Sequence, residues 1–151
     1  MKTMDNGCYF IDTSALFKRY INESGTDKID VLFDGAALIV ISSLTIIEFL
    51  SNLKRLVDIE KIINMDIHDA IKREFFSDIA SGAIKVEPVS SQHIITSADL
   101  INKKYITPID SLQLAAIINL KENYENISFV CSDRKLCSLA GQRGIKVLMI
   151  E

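Results

Sequence analysis

The 151-residue chain has no surplus of positive charge: 17 Lys and Arg stand against 20 Asp and Glu, a formal net charge of −3. That excludes a histone-like mode in which global charge supplies affinity for nucleic acid, and leaves room for an enzyme with locally placed basic groups. Cysteine is scarce. Cys8, Cys131 and Cys137 are odd in number and contain no CxxC pair, so spacing predicts neither a disulfide framework nor a zinc site, and a reducing, cytoplasmic compartment fits best. With two prolines, no repeat and no Pro/Gly/Ser-rich tract, the chain has little place for a linker, and one domain over residues 1–151 is expected. Long apolar runs are missing too. The longest, Ala36 to Ile41, is far too short to span a bilayer, and the N-terminal MKTMDNG carries an acid and a glycine where a signal peptide would be apolar. No membrane partner is expected.

What is present is the composition of a folded domain, 48% hydrophobic and 25% charged. A chain of this length buries roughly 68–70% of its unfolded surface, enough for a core without disulfides or a structural metal. Cys8 to Ile11 reads as a buried strand that stops at Asp12–Thr13–Ser14, and a helix carries Ala15 to Tyr20. Ile29, Leu32 and Phe33 recur at helical spacing up to Gly35. Ala37 to Ile41 is a second strand without polar alternation, followed by a helix over Leu44 to Val57. From about Asp66 to Ser81, Ile67, Ile71, Phe75 and Ile79 repeat every four residues as an amphipathic helix before Gly82. Ile84 to Val89 is a third strand, and the next helix runs to about Tyr105. Thr107–Pro108 opens another with a cap and a proline at its first position, reaching about Glu122. Ile127 to Cys131, a short helix from Asp133 to Ala140, and Lys146 to Ile150 complete the order. Strands alternating with helices predict a parallel sheet covered on both faces, with its chemistry outside the carboxyl ends of the strands.

Four acids fall at that edge. Asp12 and Asp133 directly follow the first and fourth strands, Asp110 lies in the first turn of a helix that starts there, and Glu48 is about one turn into the helix after the second strand. Singly, each has an ordinary reading. Asp12 and Asp133 serve as N-caps, each contributing about 1 kcal/mol, and Asp110 complements a helix dipole. Glu48 shares a helical stripe with Leu44, Ile47 and Ser51, so it needs either an arginine or a ligand. Together, the acids would raise one another's pKa and weaken the fold unless a cation sat among them. An all-oxygen pocket of this kind suits Mg²⁺ or Mn²⁺. His68 and His93 are too far apart, on helical segments placed away from that edge, to support zinc or a histidine base. Thr13, Ser14 and Ser132 are candidates to orient a metal-bound water or a phosphate oxygen, with Ser111 as a further hydroxyl. Lys18–Arg19, Lys54–Arg55 and Arg134–Lys135 either form solvated helix faces or steer a polyanion locally. A phosphoryl-transfer domain with an aspartyl nucleophile of the haloacid-dehalogenase type wants a second Asp two residues after the first, where Ser14 stands.

The stretches Phe10-Ile-Asp-Thr-Ser-Ala-Leu16, Ser43-Leu-Thr-Ile-Ile-Glu-Phe49, Pro108-Ile-Asp-Ser-Leu-Gln-Leu-Ala115 and Phe129-Val-Cys-Ser-Asp-Arg-Lys-Leu136 resemble PIN domains, in particular the VapC-type ribonuclease toxins of toxin–antitoxin modules. The resemblance implies a three-layer α/β/α sandwich around a mainly parallel sheet and a Mg²⁺- or Mn²⁺-dependent endoribonuclease. Asp12, Glu48 and Asp110 look like the family's metal-binding acids and Asp133 like the fourth, more variable one. It also implies RNA as substrate, a cognate antitoxin as partner and a homodimer, with the helix near Asp66 to Ser81 matching the protruding region where dimer and antitoxin contacts form. Thr107 and Gln113 depart from the pattern, standing where relatives often carry a basic residue and a histidine. The competing reading is a catalytically weak or inactive PIN-like module that binds RNA or antitoxin.

Overall fold

The computed structural model describes residues 7–151; residues 1–6, most of the N-terminal stretch read above, lie outside the described residues. The strands are β1 (Cys8–Ile11), β2 (Leu38–Ser42), β3 (Lys85–Glu87), β4 (Ile127–Cys131) and β5 (Lys146–Met149). They form one sheet in the order β3-β2-β1-β4-β5, and every neighbouring pair is parallel. Helices α1 (Thr13–Tyr20) and α2 (Thr26–Asp34) cross from β1 to β2, and α3 (Ser43–Asp58) and α4 (Met65–Ala80) from β2 to β3. The chain then reverses. Helices α5 (Ser91–Lys103) and α6 (Pro108–Asn123) carry it back past β1 to β4, and α7 (Arg134–Gln142) leads to β5. The turning point of the topology is therefore the β1/β4 pair, where a crevice opens beyond the strand ends.

Alternation along the strands divides the core between the two faces. Phe10, Val40 and Phe129 pack with α5, α6 and α7, whereas Ile11, Ile41 and Val130 pack with α1 to α4. The α/β/α sandwich expected from the sequence is what the chain adopts. Side chains fasten the helix starts at the carboxyl edge, and three of these caps lie in the turns that carry Asp12, Asp110 and Asp133. Asp12 accepts from the Ala15 N–H, Thr107 from the Asp110 N–H, and Asp133 from the Leu136 N–H. The acids named above and the caps thus share the same turns. Because the Thr107 bond is long at 3.4 Å and Pro108 already presets the first turn, Thr107→Ala should cost only about 0.5–1 kcal/mol in urea unfolding. A loss above about 2 kcal/mol would mean that this cap holds more than one helix end.

The structure also corrects details. The third strand is Lys85–Glu87 rather than Ile84 to Val89: it lies at the sheet edge, pairs only with β2, and meets Pro88, which has no N–H to donate. On α4 the inward side is formed by His68, Ile71, Phe75 and Ile79, while Ile67, assigned to that stripe by its spacing, is exposed. His93 is not remote from the carboxyl edge. It sits in the first turn of α5 just after β3, buried, with its ring nitrogen accepting from the Ser90 N–H in a capping box outside the acidic crevice. Finally, Cys131 and Cys137 are disulfide-bonded, against the expectation of none. The end of β4 and the second turn of α7 place their Cα atoms 6.3 Å apart, a proximity that spacing in the sequence does not reveal. The cysteine count therefore carries no argument about compartment. Among the described residues, no helix is long and apolar enough to cross a membrane.

Candidate active site

At the end of β1 and β4 lies a cavity of about 190 Å³ lined by Asp12, Thr13, Ser14, Glu48, Asn52, Asp110, Gln113, Asp133 and Leu136. All four acids singled out in the sequence face it, although Asp12 and Asp110 are 98 residues apart. Their environments differ. Asp12 is buried, Glu48 and Asp110 are half-buried, and Asp133 is exposed at the rim.

Asp12 is held from both sides of its carboxylate. The Ala15 N–H donates to Oδ1 at 2.9 Å and the Ser14 hydroxyl donates to Oδ2 at 2.8 Å. Burial, reinforced by the nearby negative charges of Asp133 and Glu48, pushes the Asp12 carboxyl up to about 7 despite those two bonds. No described basic side chain forms an ion pair with Asp12, Glu48, Asp110 or Asp133. Burying a carboxylate beside other carboxylates without a cation works against the fold, and burial combined with like charges in a cleft is what makes this crevice the candidate site.

Glu48 is not held by an arginine, the ordinary alternative for a carboxylate on an apolar stripe. Its Oε1 accepts from the Thr13 hydroxyl at 2.8 Å and from Gln113 Nε2 at 3.3 Å, while Thr45 Oγ1 accepts from the same amide at 2.8 Å. Helices α1, α3 and α6 are thereby tied to one carboxylate. Thr13→Val, nearly isosteric, should leave that oxygen short of a donor and cost about 1–2 kcal/mol in chemical denaturation. An unchanged midpoint would show that the bond adds nothing to stability.

Gln113 and Asn52 had no place among the site residues read from the sequence. Gln113, a departure from the family pattern, donates to Glu48 from α6. Asn52 lies one helical turn after Glu48 on α3, a spacing that does place both on one face. Of the hydroxyls, Thr13 and Ser14 touch the acids, while Ser132 does not line the cavity and its Oγ is buried without a hydrogen-bond partner. Gln113 Oε1 is likewise buried and unpartnered. Ser111 instead pairs with Ser97 on α5 at 2.5 Å, away from the acids. His68 and His93 do not line the cavity. Arg134 and Lys135 directly follow Asp133, but Arg134 binds Glu151 at 2.8 Å, just as Arg19 binds Asp30, and Lys54 and Arg55 bind Asp58 and Glu60.

The donors are all oxygen: four carboxylates, an amide oxygen without a partner, and hydroxyls. That set suits a hard cation better than a soft one. Among the described residues, however, no three His, Cys, Asp or Glu side chains stand close enough together to form a ready-made ion cage.

Comparison with known proteins agrees with the fold. Solved structures of similar fold include VapBC2 from Rickettsia felis bound to a DNA fragment from its promoter, with TM-score 0.64 and 15% identity, covering 95% of this chain and 99% of that one. A toxin–antitoxin complex from Klebsiella pneumoniae gives TM-score 0.62 at 16% identity, covering 93% and 96%. VapBC-5 from Mycobacterium tuberculosis, a member of the VapBC family of toxin–antitoxin systems, gives 0.56 at 13%, covering 95% and 99%. No curated protein matches the chain. The PIN domain family profile matches residues 9–142, a span that holds both strand ends, all four acids and every helix that supports them, and the chain belongs to the PIN domain family.

Proposed function

We propose that this protein is a Mg²⁺- or Mn²⁺-dependent endoribonuclease that hydrolyses RNA phosphodiester bonds, acting as the toxin of a toxin–antitoxin pair. The observation that carries the proposal is Asp12: a buried carboxylate at the turning point of the sheet, faced by other acids and by no described cation. Asp12, Glu48, Asp110 and Asp133 would hold the metal, directly or through water, since a hard ion of this type keeps several waters. When bound, it would neutralise the scissile phosphate and lower the pKa of an attacking water.

The chain's own residues divide the remaining work. Ser14 and the Ala15 amide fix the orientation of Asp12 before any ligand arrives. Thr13 and Gln113 do the same for Glu48. Asp110 and Asp133, at the freer wall and rim of the cavity, retain the side-chain freedom to close on a ligand, which accounts for the absence of a ready-made cage. Gln113 in place of a histidine does not disable the site, because its amide is already engaged in holding Glu48. Single-stranded or looped RNA is the substrate whose splayed phosphates reach such a cleft.

The antitoxin and a second copy of the chain are the proposed protein partners. Ile59, Ile62, Ile67 and Phe76, exposed on and beside α4, supply apolar surface for them. The structural neighbours solved as toxin–antitoxin complexes support an antitoxin partner.

Calorimetric titration with Mn²⁺ tests the ligand assignment. The parent should bind saturably, and Asp110→Asn should weaken binding by at least about tenfold. An unchanged isotherm for Asp110→Asn contradicts its place among the ligands.

A further inference from the structure

A second cavity, of about 210 Å³, opens next to the acidic one and has the opposite character. Its floor is apolar: Leu100, Ile106 and Leu114 are almost fully buried around it. Its rim carries Lys104 and Arg143, neither of which forms an ion pair with a described residue, and Lys103, which is paired with Asp99 at 3.2 Å. Tyr105 stands at the mouth, 75% exposed. The cavity rim thus sets an exposed aromatic ring beside two lysines and an arginine.

The two cavities share walls. Gln113 of α6 lines the acidic one and the adjacent Leu114 lines the apolar one. On α7, Leu136 faces the acids and Leu139, three residues on, faces the second cavity. Along the helix axes the two linings are offset by about 1.5 Å on α6 and about 4.5 Å on α7. Lys135, two residues after Asp133, lies with its Nζ 5.6 Å from the Tyr105 ring centroid.

We propose that this cavity is a nucleobase subsite: Tyr105 stacks on a base of the RNA strand next to the scissile phosphate, while Lys104, Arg143 and Lys135 engage its flanking phosphates. The inference rests on the ribonuclease reading of the acidic crevice and adds where the strand leaves it. A flat apolar ring bearing anionic groups on both sides is the ligand that matches an apolar floor, an exposed aromatic and a cationic rim. An acidic peptide satisfies the rim but makes no use of an exposed ring beside an apolar slot. Net charge also stops being an obstacle, because the bases that matter are clustered along one track from the acids.

The test is fluorescence anisotropy with short labelled single-stranded RNA, intact or with one abasic nucleotide placed in turn along the strand, without added divalent metal so that the RNA stays whole. The proteins are the parent, Tyr105→Ala, Tyr105→Phe and Arg143→Gln, with thermal melts to confirm folding. Tyr105→Ala should weaken binding of intact RNA about 5- to 100-fold, and Tyr105→Phe should restore most of it. An abasic site at one position should abolish the difference between parent and Tyr105→Ala. Arg143→Gln should weaken binding to all sequences and lower the salt dependence. Equal affinities of parent and Tyr105→Ala overturn the subsite, as does an equal Tyr105 effect with every abasic strand. In a parallel cleavage assay with Mn²⁺, a parent that binds through Tyr105 yet cuts no RNA overturns the nuclease reading and leaves the base subsite standing.

Discussion

Asp12→Asn is expected to make the metal-free protein more stable at pH 8, by on the order of 2–4 kcal/mol or roughly 5–10 °C in Tm. The sign follows from linkage. Asp12 titrates at about 7 in the folded protein, against about 4 for an unfolded aspartate. Between those values the native state holds a proton that the unfolded state has released, so stability is full below about pH 4 and is lost as pH rises through the folded value. Asparagine keeps an oxygen to accept from the Ala15 amide and cannot ionise, so the variant escapes that loss. Parent and variant should therefore converge near pH 4 and separate toward pH 8. Mn²⁺ at about 1,000 times Kd should then close or reverse that gap, because binding stabilises the parent by about 4.1 kcal/mol and leaves the variant almost unmoved. A variant less stable than the parent across this pH range, without metal, would contradict the strained-acid account. So would a parent indifferent to Mn²⁺.

Phe49→Ala should be the costliest single core truncation beside the site, about 3–5 kcal/mol in urea unfolding. Phe49 is fully buried directly after Glu48 on α3. Its ring stacks on Phe75 of α4 at 4.1 Å between centroids and meets the edges of Phe17 and Tyr20 of α1 at 5.4 and 5.3 Å. Tyr20 is itself anchored to α4 by its hydroxyl, which donates to Asp78 at 2.5 Å. Removing one ring thus opens a cavity at the junction of three helices, two of which carry Thr13 and Glu48. Against a typical total of about 5–15 kcal/mol, this is a large share of the fold's stability. Phe49→Leu should recover most of it by refilling the volume. A loss below about 1 kcal/mol for Phe49→Ala would show that the three helices do not depend on this cluster.

The fold was legible in the sequence wherever local chemistry decides the outcome. Apolar runs ending at Asp12 and Asp133 marked strand ends and helix starts at once, and Thr107–Pro108 marked the start of α6. The parallel rule then placed four distant acids on one edge without any knowledge of strand order. That order, β3-β2-β1-β4-β5, depends on which way each crossover runs, and no short motif records it. The same limit hid the Gln113–Glu48 bond, whose partners are 65 residues apart, and the Cys131–Cys137 bond, which needs α7 to fold back on β4. Ile67 shows the opposite failure: steps of four drift about 40° each against a 3.6-residue turn, so Ile67, eight residues before Phe75, has left the buried face that His68, seven before, occupies. The Tyr105 cavity had no signature in the pattern at all, because its walls come from three helices and a loop.

Cleavage of a mixed RNA pool by equal amounts of parent and Asp12→Asn tests most directly the proposed role of Asp12 in a metal-dependent site for cutting RNA. With Mg²⁺ or Mn²⁺ the parent should cut and the variant should be slower by at least about 100-fold; with the metal chelated, neither should cut. Equal cleavage by the two proteins, or cleavage by the parent that survives chelation, would contradict that role.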